Sequence, residues 1–167
     1  LLISGESGAG KTETVKIMMA HLASVSGSTE TTVVDKVLKS QPLLESFGNA
    51  KTVRNDNSSR FGKFTQLEFV LDESTSLAQA KTVLVGSRCR TYLLEKARVV
   101  RQAEGERTYH CFYGAGRNAA ARDRDAFVES LGDRKGFRYT SNGDLETAAI
   151  EGVPDDQRHD RTWEALD

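Results

Sequence analysis

Two cysteines, two prolines and one tryptophan are all that these 167 residues hold of those types. Cys89 and Cys111 stand in no metal-ligand spacing, which argues against a structural zinc site and against a disulfide framework. Both thiols are expected in the core or half-buried. No apolar run approaches the roughly 20 residues needed to cross a bilayer, and no leader of charged, apolar and small residues opens the chain. No membrane insertion is expected. An excess of one charge is missing too, since 23 basic and 24 acidic residues leave a formal net charge of −1 and no electrostatic footprint for nucleic acid. An initiator Met is also absent. The chain opens on Leu1-Leu2-Ile3, about three residues where a buried strand usually has 5 to 6, and it therefore reads as a cut piece.

What is present starts with Gly5-Glu6-Ser7-Gly8-Ala9-Gly10-Lys11-Thr12, which satisfies the phosphate-loop pattern G-x-x-x-x-G-K-[ST] directly after that apolar start. Glycines at 5, 8 and 10 let the backbone turn successive N–H groups toward phosphate oxygens. Lys11 adds a point charge for the β and γ phosphates, and Thr12 offers a hydroxyl to Mg²⁺. The residues after Thr12 have helical spacing, and the positive end of that helix favours the same anion. Nucleoside triphosphate binding is expected, with thiols kept reduced in a cytosolic compartment.

Apolar spacing at Val15, Met18, Met19 and Leu22 predicts a helix to Ala23, and Ser24 to Ser28 breaks it. A second helix, capped by Thr31 or Thr32, runs through Val33, Val34, Val37 and Leu38 to Gln41-Pro42, and Leu43 to Phe47 forms a further turn. Gly48 to Thr52 and Asn55 to Ser59 are turn and loop chemistry. From Phe64 the period becomes two, with Thr65, Leu67, Phe69 and Leu71 on one face. Ala80 to Val85 and Cys89 to Leu94 supply the returning strand, with a break at Gly86. Glu104 to Tyr113 is expected to be helical, Phe137 to Tyr139 extended, and Pro154 to open a last helix toward Leu166. The charged stretch Arg117 to Arg124 reads as an exposed loop, Ala126 to Leu131 as a short helix and Ser141 to Asp144 as a turn. The fold class expected is α/β: a P-loop NTPase-type core fragment with a mixed β-sheet, made of the loop's strand and the hairpin, flanked by helices.

A phosphate loop alone serves kinases, GTPases, helicases, transporters and motors. Asn55-Asp56-Asn57-Ser58-Ser59-Arg60-Phe61-Gly62-Lys63 narrows the class. Its two hydroxyls suit a segment closing over a γ-phosphate, one completing an Mg²⁺ shell and one positioning a water, while Asn side chains donate to phosphate oxygens. Arg60 suits an ion pair that holds such a lid shut.

With Leu44-Glu45-Ser46-Phe47-Gly48-Asn49-Ala50-Lys51-Thr52 and Tyr92-Leu93-Leu94-Glu95-Lys96-Ala97-Arg98-Val99, these two stretches resemble four signature segments of the myosin motor domain, in the family's order. Weaker similarity continues through Glu106 to Tyr113, Phe137 to Tyr139 and Ile150 to Val153, so the resemblance covers nearly the whole chain. It implies a partial motor domain over residues 1–167, with the P-loop at 5–12, switch I at 55–63 and a transducer hairpin at about 64–94. Gly5, Glu6, Ser7, Gly8, Ala9, Gly10, Lys11, Thr12, Asn55 and Asn57 would bind ATP, although Glu6 and Glu13 have no role of their own by residue chemistry. Thr12 and Ser59 would bind Mg²⁺. Lys11, Ser58, Ser59 and Arg60 would serve hydrolysis, Ser58 by placing the lytic water and Arg60 by pairing with a switch II glutamate. Because no Asp-x-x-Gly-Phe-Glu stretch occurs, Arg60 is expected to lack its partner, and the isolated piece is expected neither to hydrolyse ATP efficiently nor to move anything.

The resemblance further implies F-actin as partner through segments outside this stretch, light chains or calmodulin on the parent, and a place in the cytoplasm on the cytoskeleton. The connector from Asp72 to Lys81 is longer than the family's usual hairpin turn, and Gly114-Ala115-Gly116-Arg117 replaces a more apolar helix end. Two alternatives stay open. A kinesin-like microtubule motor pairs similar loops, but Phe61-Gly62 follows Arg60 here where kinesins continue into Ser-His. A non-hydrolysing nucleotide-binding regulatory module is the other. Cys89, Cys111, His21, His110 and Trp163 are read as structural.

Overall fold

The computed structural model describes residues 1–25, 32–71, 82–114, 137–141 and 149–166. The Asp72 to Lys81 connector, Arg117 to Arg124, Ala126 to Leu131 and most of Ser141 to Asp144 lie outside the described residues.

Two compact units emerge: residues 1–40 with 63–92, and residues 41–62 with 93–167. In the first, α1 (Lys11–Val25) and α2 (Thr32–Lys39) pack on the strand pair β3 (Gly62–Leu71) and β4 (Thr82–Tyr92). The apolar spacing read in α1 and α2 is what they bury, since Met19, Val34 and Leu84 form the core and Val15, Val33, Val37, Leu38 and Leu67 pack around it. Alternation in β3 follows the pleat as far as Leu67: Lys63, Thr65 and Leu67 are half-buried, and Phe64, Gln66 and Glu68 are exposed. Thr65 lies by Cys89 and Glu68 by Gly86, as antiparallel strands place them. The expected break at Gly86 does not occur. β4 runs through it unbroken, and a Cβ there would come within 3.1 Å of the Glu68 carboxylate.

The second unit is built on α3 (Gln41–Gly48), whose second residue is Pro42, a position where a missing N–H costs nothing. β1 (Asn49–Ala50) follows and pairs antiparallel with β2 (Ser58–Ser59), in the register Asn49 with Ser59 and Ala50 with Ser58. A 3₁₀ turn (Lys96–Val99), α4 (Cys111–Gly114), α5 (Arg138–Ser141), the hairpin β5 (Ala149–Ile150) with β6 (Val153–Pro154), and α6 (Asp155–Glu164) complete it. Ala50, Tyr109, Tyr113 and Ile150 are its buried apolar residues.

Several expectations are corrected. Leu1-Leu2-Ile3 forms no strand; a strand exists only by pairing, no described strand pairs with it, and Leu1 and Leu2 are 96% and 90% exposed. In place of one mixed sheet, the described strands form three separate two-stranded sheets. Gly48 to Thr52 is not all loop, because it holds the end of α3 and β1. Glu104 to Tyr113 is not one helix. Gly105, at φ +76, turns the chain, and residues 107–110 then run along β1: Arg107 N–H donates to Lys51 O at 3.1 Å and His110 N–H to Asn49 O at 3.2 Å, with Ala50 bridging Tyr109. Only Cys111–Gly114 is helical. Phe137 to Tyr139 is not extended either but leads into α5, where Phe137 O accepts from Thr140 and Ser141 N–H. Cys89 is exposed rather than buried, and both cysteines are free.

Candidate functional site

In the first unit, residues 7–10 form a turn and bend that lead into the N-terminus of the 15-residue helix α1. Gly8 and Gly10 have φ of +84 and +78, the left-handed region that a side chain resists. A Cβ at Gly10 would meet nothing within 4 Å, so it is backbone conformation rather than crowding that requires glycine there. The Lys11 ammonium reaches back over the loop and donates to Gly5 O at 2.7 Å and Glu6 O at 2.6 Å. Ala9 N–H donates to Glu6 O at 3.2 Å, and Thr14 N–H to Gly10 O at 2.9 Å, which starts the helix. Left-handed glycines before a helix N-terminus, with a lysine held at the loop's mouth, make an arrangement suited to a phosphate chain.

In the second unit, residues 52–60 are tied by their own backbone. Thr52 and Asn55 exchange N–H···O bonds of 2.9 and 3.3 Å, and Asn55 Oδ1 accepts Asn57 N–H at 2.9 Å. Ser58 is buried, at 2% exposure, and its Oγ accepts from Arg60 at 3.3 Å; Ser59 is exposed. Arg60 N–H donates to Gly48 O at 2.8 Å, and a Cβ at Gly48 would overlap the Phe61 ring, so Gly48 is what lets this loop lie against α3.

Arg60, expected to lack its switch II glutamate, has a different acidic partner in Glu95. Its Nε donates to Glu95 Oε2 at 2.5 Å, and Glu95 N–H donates to Arg60 O at 3.0 Å. Glu95 also accepts from Arg98 at 2.8 Å, and Arg98 donates to Glu106 at 2.9 Å. Burial works to raise the Glu95 pKa, but hydrogen bonds from Arg98 and Arg60, with their charges, outweigh it and hold the carboxyl below its usual range. Burial likewise works against the charge of Arg98, and Glu95 and Glu106 outweigh it.

Asn57 shows what the sequence did not. Its amide donates to Glu151 Oε2 at 3.0 Å and to Glu45 Oε2 at 3.4 Å, while its Oδ1 accepts from Asn49 Nδ2 at 3.0 Å and lies 3.1 Å from His110 Nε2. Burial, with the charges of Arg158 and Arg107, pushes the His110 pKa down to about 3, so the ring is neutral. Arg107 and Asp155 form a second buried feature: a forked ion pair, with bonds of 3.1 and 2.9 Å, that fixes residues 107–110 to the start of α6. Composition and periodicity carry no signal for the Asn57 partners His110 and Glu151 or for the Arg107–Asp155 pair, because these are brought together across 48 to 94 residues of sequence. Glu45, Asn49 and Glu95 lie in signature stretches of the family resemblance, and Arg107, His110 and Glu151 in its weaker ones, but the stretches by themselves assign them no role.

Among the described residues no group of three His, Cys, Asp or Glu is placed to hold a metal, and no helix is long and apolar enough to cross a membrane.

A glycine loop before a helix N-terminus lies in one unit, and a serine-rich loop backed by an arginine–glutamate pair lies in the other. The whole chain, residues 1–167, matches the myosin head (motor domain) family, and it belongs to that family. It is 45% identical over 170 residues to Myosin-15 of Arabidopsis thaliana and 46% identical over 168 residues to unconventional myosin-Vb of Homo sapiens. Those alignments cover 100% and 99% of this chain but only 10% and 8% of the relatives' length. Protein OPAQUE1 of Zea mays is likewise 45% identical, over 10% of its length. Family membership decides against the kinesin-like reading.

Proposed function

We propose that this chain is the nucleotide-binding part of an actin-based motor that hydrolyses Mg-ATP. The observation that carries the reading is the turn with left-handed Gly8 and Gly10 that feeds α1 with Lys11 at its mouth, in a chain of the myosin head family. Gly5 to Gly10 would present backbone N–H groups to the phosphates, and Lys11 would exchange the Gly5 and Glu6 carbonyls for phosphate oxygens. Asn55 would reach the same phosphates from switch I. The residues fit Mg²⁺ by chemistry: Thr12 and the exposed Ser59 are hard oxygen donors. Bound there, the ion would neutralise charge on the β and γ oxygens.

Hydrolysis forms a bond from the water oxygen to the γ-phosphorus and breaks the bond to the β–γ bridging oxygen, which leaves on ADP with the electron pair. The water's proton ends on phosphate or solvent. Ser58 would place that water, and Arg60 would hold switch I in position. The parent would engage F-actin through segments outside this stretch, carry light chains or calmodulin, and work in the cytoplasm on the cytoskeleton.

The test is the actin-activated ATPase of the parent motor and its Lys11→Ala variant. Wild type should turn over Mg-ATP faster with actin, and Lys11→Ala should lower kcat/KM by about 100-fold or more, as removing a charge-stabilising donor does elsewhere. Tight Mg-ATP binding without turnover in the wild type would replace this reading by the non-hydrolysing regulatory module.

A further inference from the structure

The four hydrogen-bonding positions of the Asn57 amide are all engaged by protein groups. Glu151 and Glu45 are carboxylates and can only accept, so they must face the NH₂, and the amide orientation follows without ambiguity. Oδ1 then faces Asn49 Nδ2 and His110 Nε2, so His110 must donate from Nε2–H. That tautomer leaves Nδ1 as an acceptor. Nδ1 is buried with no protein partner among the described residues, and His110 lines a cavity of about 60 Å³ with Glu45 and Arg158, large enough to admit water.

Glu151 sits at the tip of the β5–β6 hairpin with φ +50, followed by Gly152 at +74, the two-residue turn in which both central residues are left-handed. Asn or Asp is the usual first residue of such a turn, and a Glu there costs about 1 kcal/mol or more. The strained position places its carboxylate on Asn57 and within 3.5 Å of Arg158.

We propose that His110 and Glu151 are positioning residues for hydrolysis, which hold switch I through Asn57. The proposal rests on the ATPase reading above and gives Asn57 a place apart from the nucleotide. Glu151 ties switch I to the β5–β6 hairpin, and His110 ties it to the strand-like segment 107–110, itself fixed to α6 by Arg107 and Asp155.

The experiment uses the parent motor with Glu151→Ala, Glu151→Gln and His110→Phe, each checked for folding by circular dichroism. Glu151→Ala and His110→Phe should lower kcat about tenfold or more while KM for Mg-ATP stays within about threefold, because they misplace switch I without touching the phosphate loop. Glu151→Gln keeps an acceptor oxygen for Asn57 and should return kcat to within about twofold of wild type. Amide hydrogen exchange of residues 55–60 gives a readout independent of turnover, and it should quicken in Glu151→Ala and recover in Glu151→Gln. Wild-type kcat and exchange in the folded Ala and Phe variants would overturn the proposal, as would equal losses in Glu151→Ala and Glu151→Gln. If wild type does not turn over ATP, the ATPase reading fails, and exchange alone decides whether the clamp exists.

Discussion

The His110 ring is 4% exposed, with Asn57 on its Nε2 and the charges of Arg158, Arg107 and Asp155 nearby; of these only Asp155 favours its protonation. With a folded pKa near 3 against an ordinary 6.5, the unfolded chain takes up a proton as pH falls below 6.5 while the folded chain does not. Stability is therefore fully present above pH 6.5 and declines toward pH 3, at about 1.4 kcal/mol per unit. Between pH 7 and pH 5 this group should account for about 2 kcal/mol of loss in urea unfolding, and His110→Gln should lose that much less. Equal pH slopes would show that His110 is not held neutral. Glu95 works in the same direction at lower pH: its depressed pKa gives stability above the carboxylate range that is lost as pH falls through it. At this scale the glycine turn before α1 and the Asn55–Lys63 loop were legible in the sequence, since each is contiguous in the chain. The sequence did not disclose His110, Glu95 or Glu151, whose meaning comes from partners 35 to 94 residues away.

Among the elements, those with their own periodicity were legible and those made by pairing were not. α1, α2, α3, β3 and the helix after Pro154 follow from apolar spacing and from proline position. β1, β2, β5 and β6 have two residues each, too short for any period, and residues 107–110 read as helix until β1 offered their backbone an extended partner. The join between α3 and β2 is specified sterically. Gly48 closes α3, its carbonyl receives Arg60 N–H, and its missing Cβ makes room for the Phe61 ring. Gly48→Ala should therefore cost about 1 to 3 kcal/mol by overpacking, despite Ala being the better helix residue. The measurement is thermal unfolding together with Mg-ATP turnover, because the same clash pushes Phe61 and with it Arg60 off Glu95. The double variant Gly48→Ala with Phe61→Leu should recover part of the stability. An unchanged melting temperature in Gly48→Ala would show that the ring yields freely.

For the whole molecule, the two units have cores that share no residue: Met19, Val34 and Leu84 in one, and Arg107, Tyr109, Tyr113, Ile150 and Asp155 in the other. The first is held by aliphatic contact, so Leu84→Ala removes transfer energy and leaves a cavity, at about 2 to 5 kcal/mol. The second turns on an ion pair with 0% and 1% side-chain exposure, Arg107 lying 3.8 Å from the centre of the Tyr113 ring. Asp155→Ala takes the carboxylate away from that buried guanidinium, which should cost about 3 to 5 kcal/mol. Replacing both members by apolar residues should cost much less, because the expense lies in the unpaired charge rather than in the missing bond. Separate cores make a separable prediction in native-state amide exchange. Leu84→Ala should speed exchange in α1, α2 and β4 while residues 107–110 and α6 keep their protection, and Asp155→Ala should do the reverse. If either change loosened all of these elements together, the chain would be one cooperative unit, and a clamp on switch I in the second unit would be felt at the phosphate loop through stability alone.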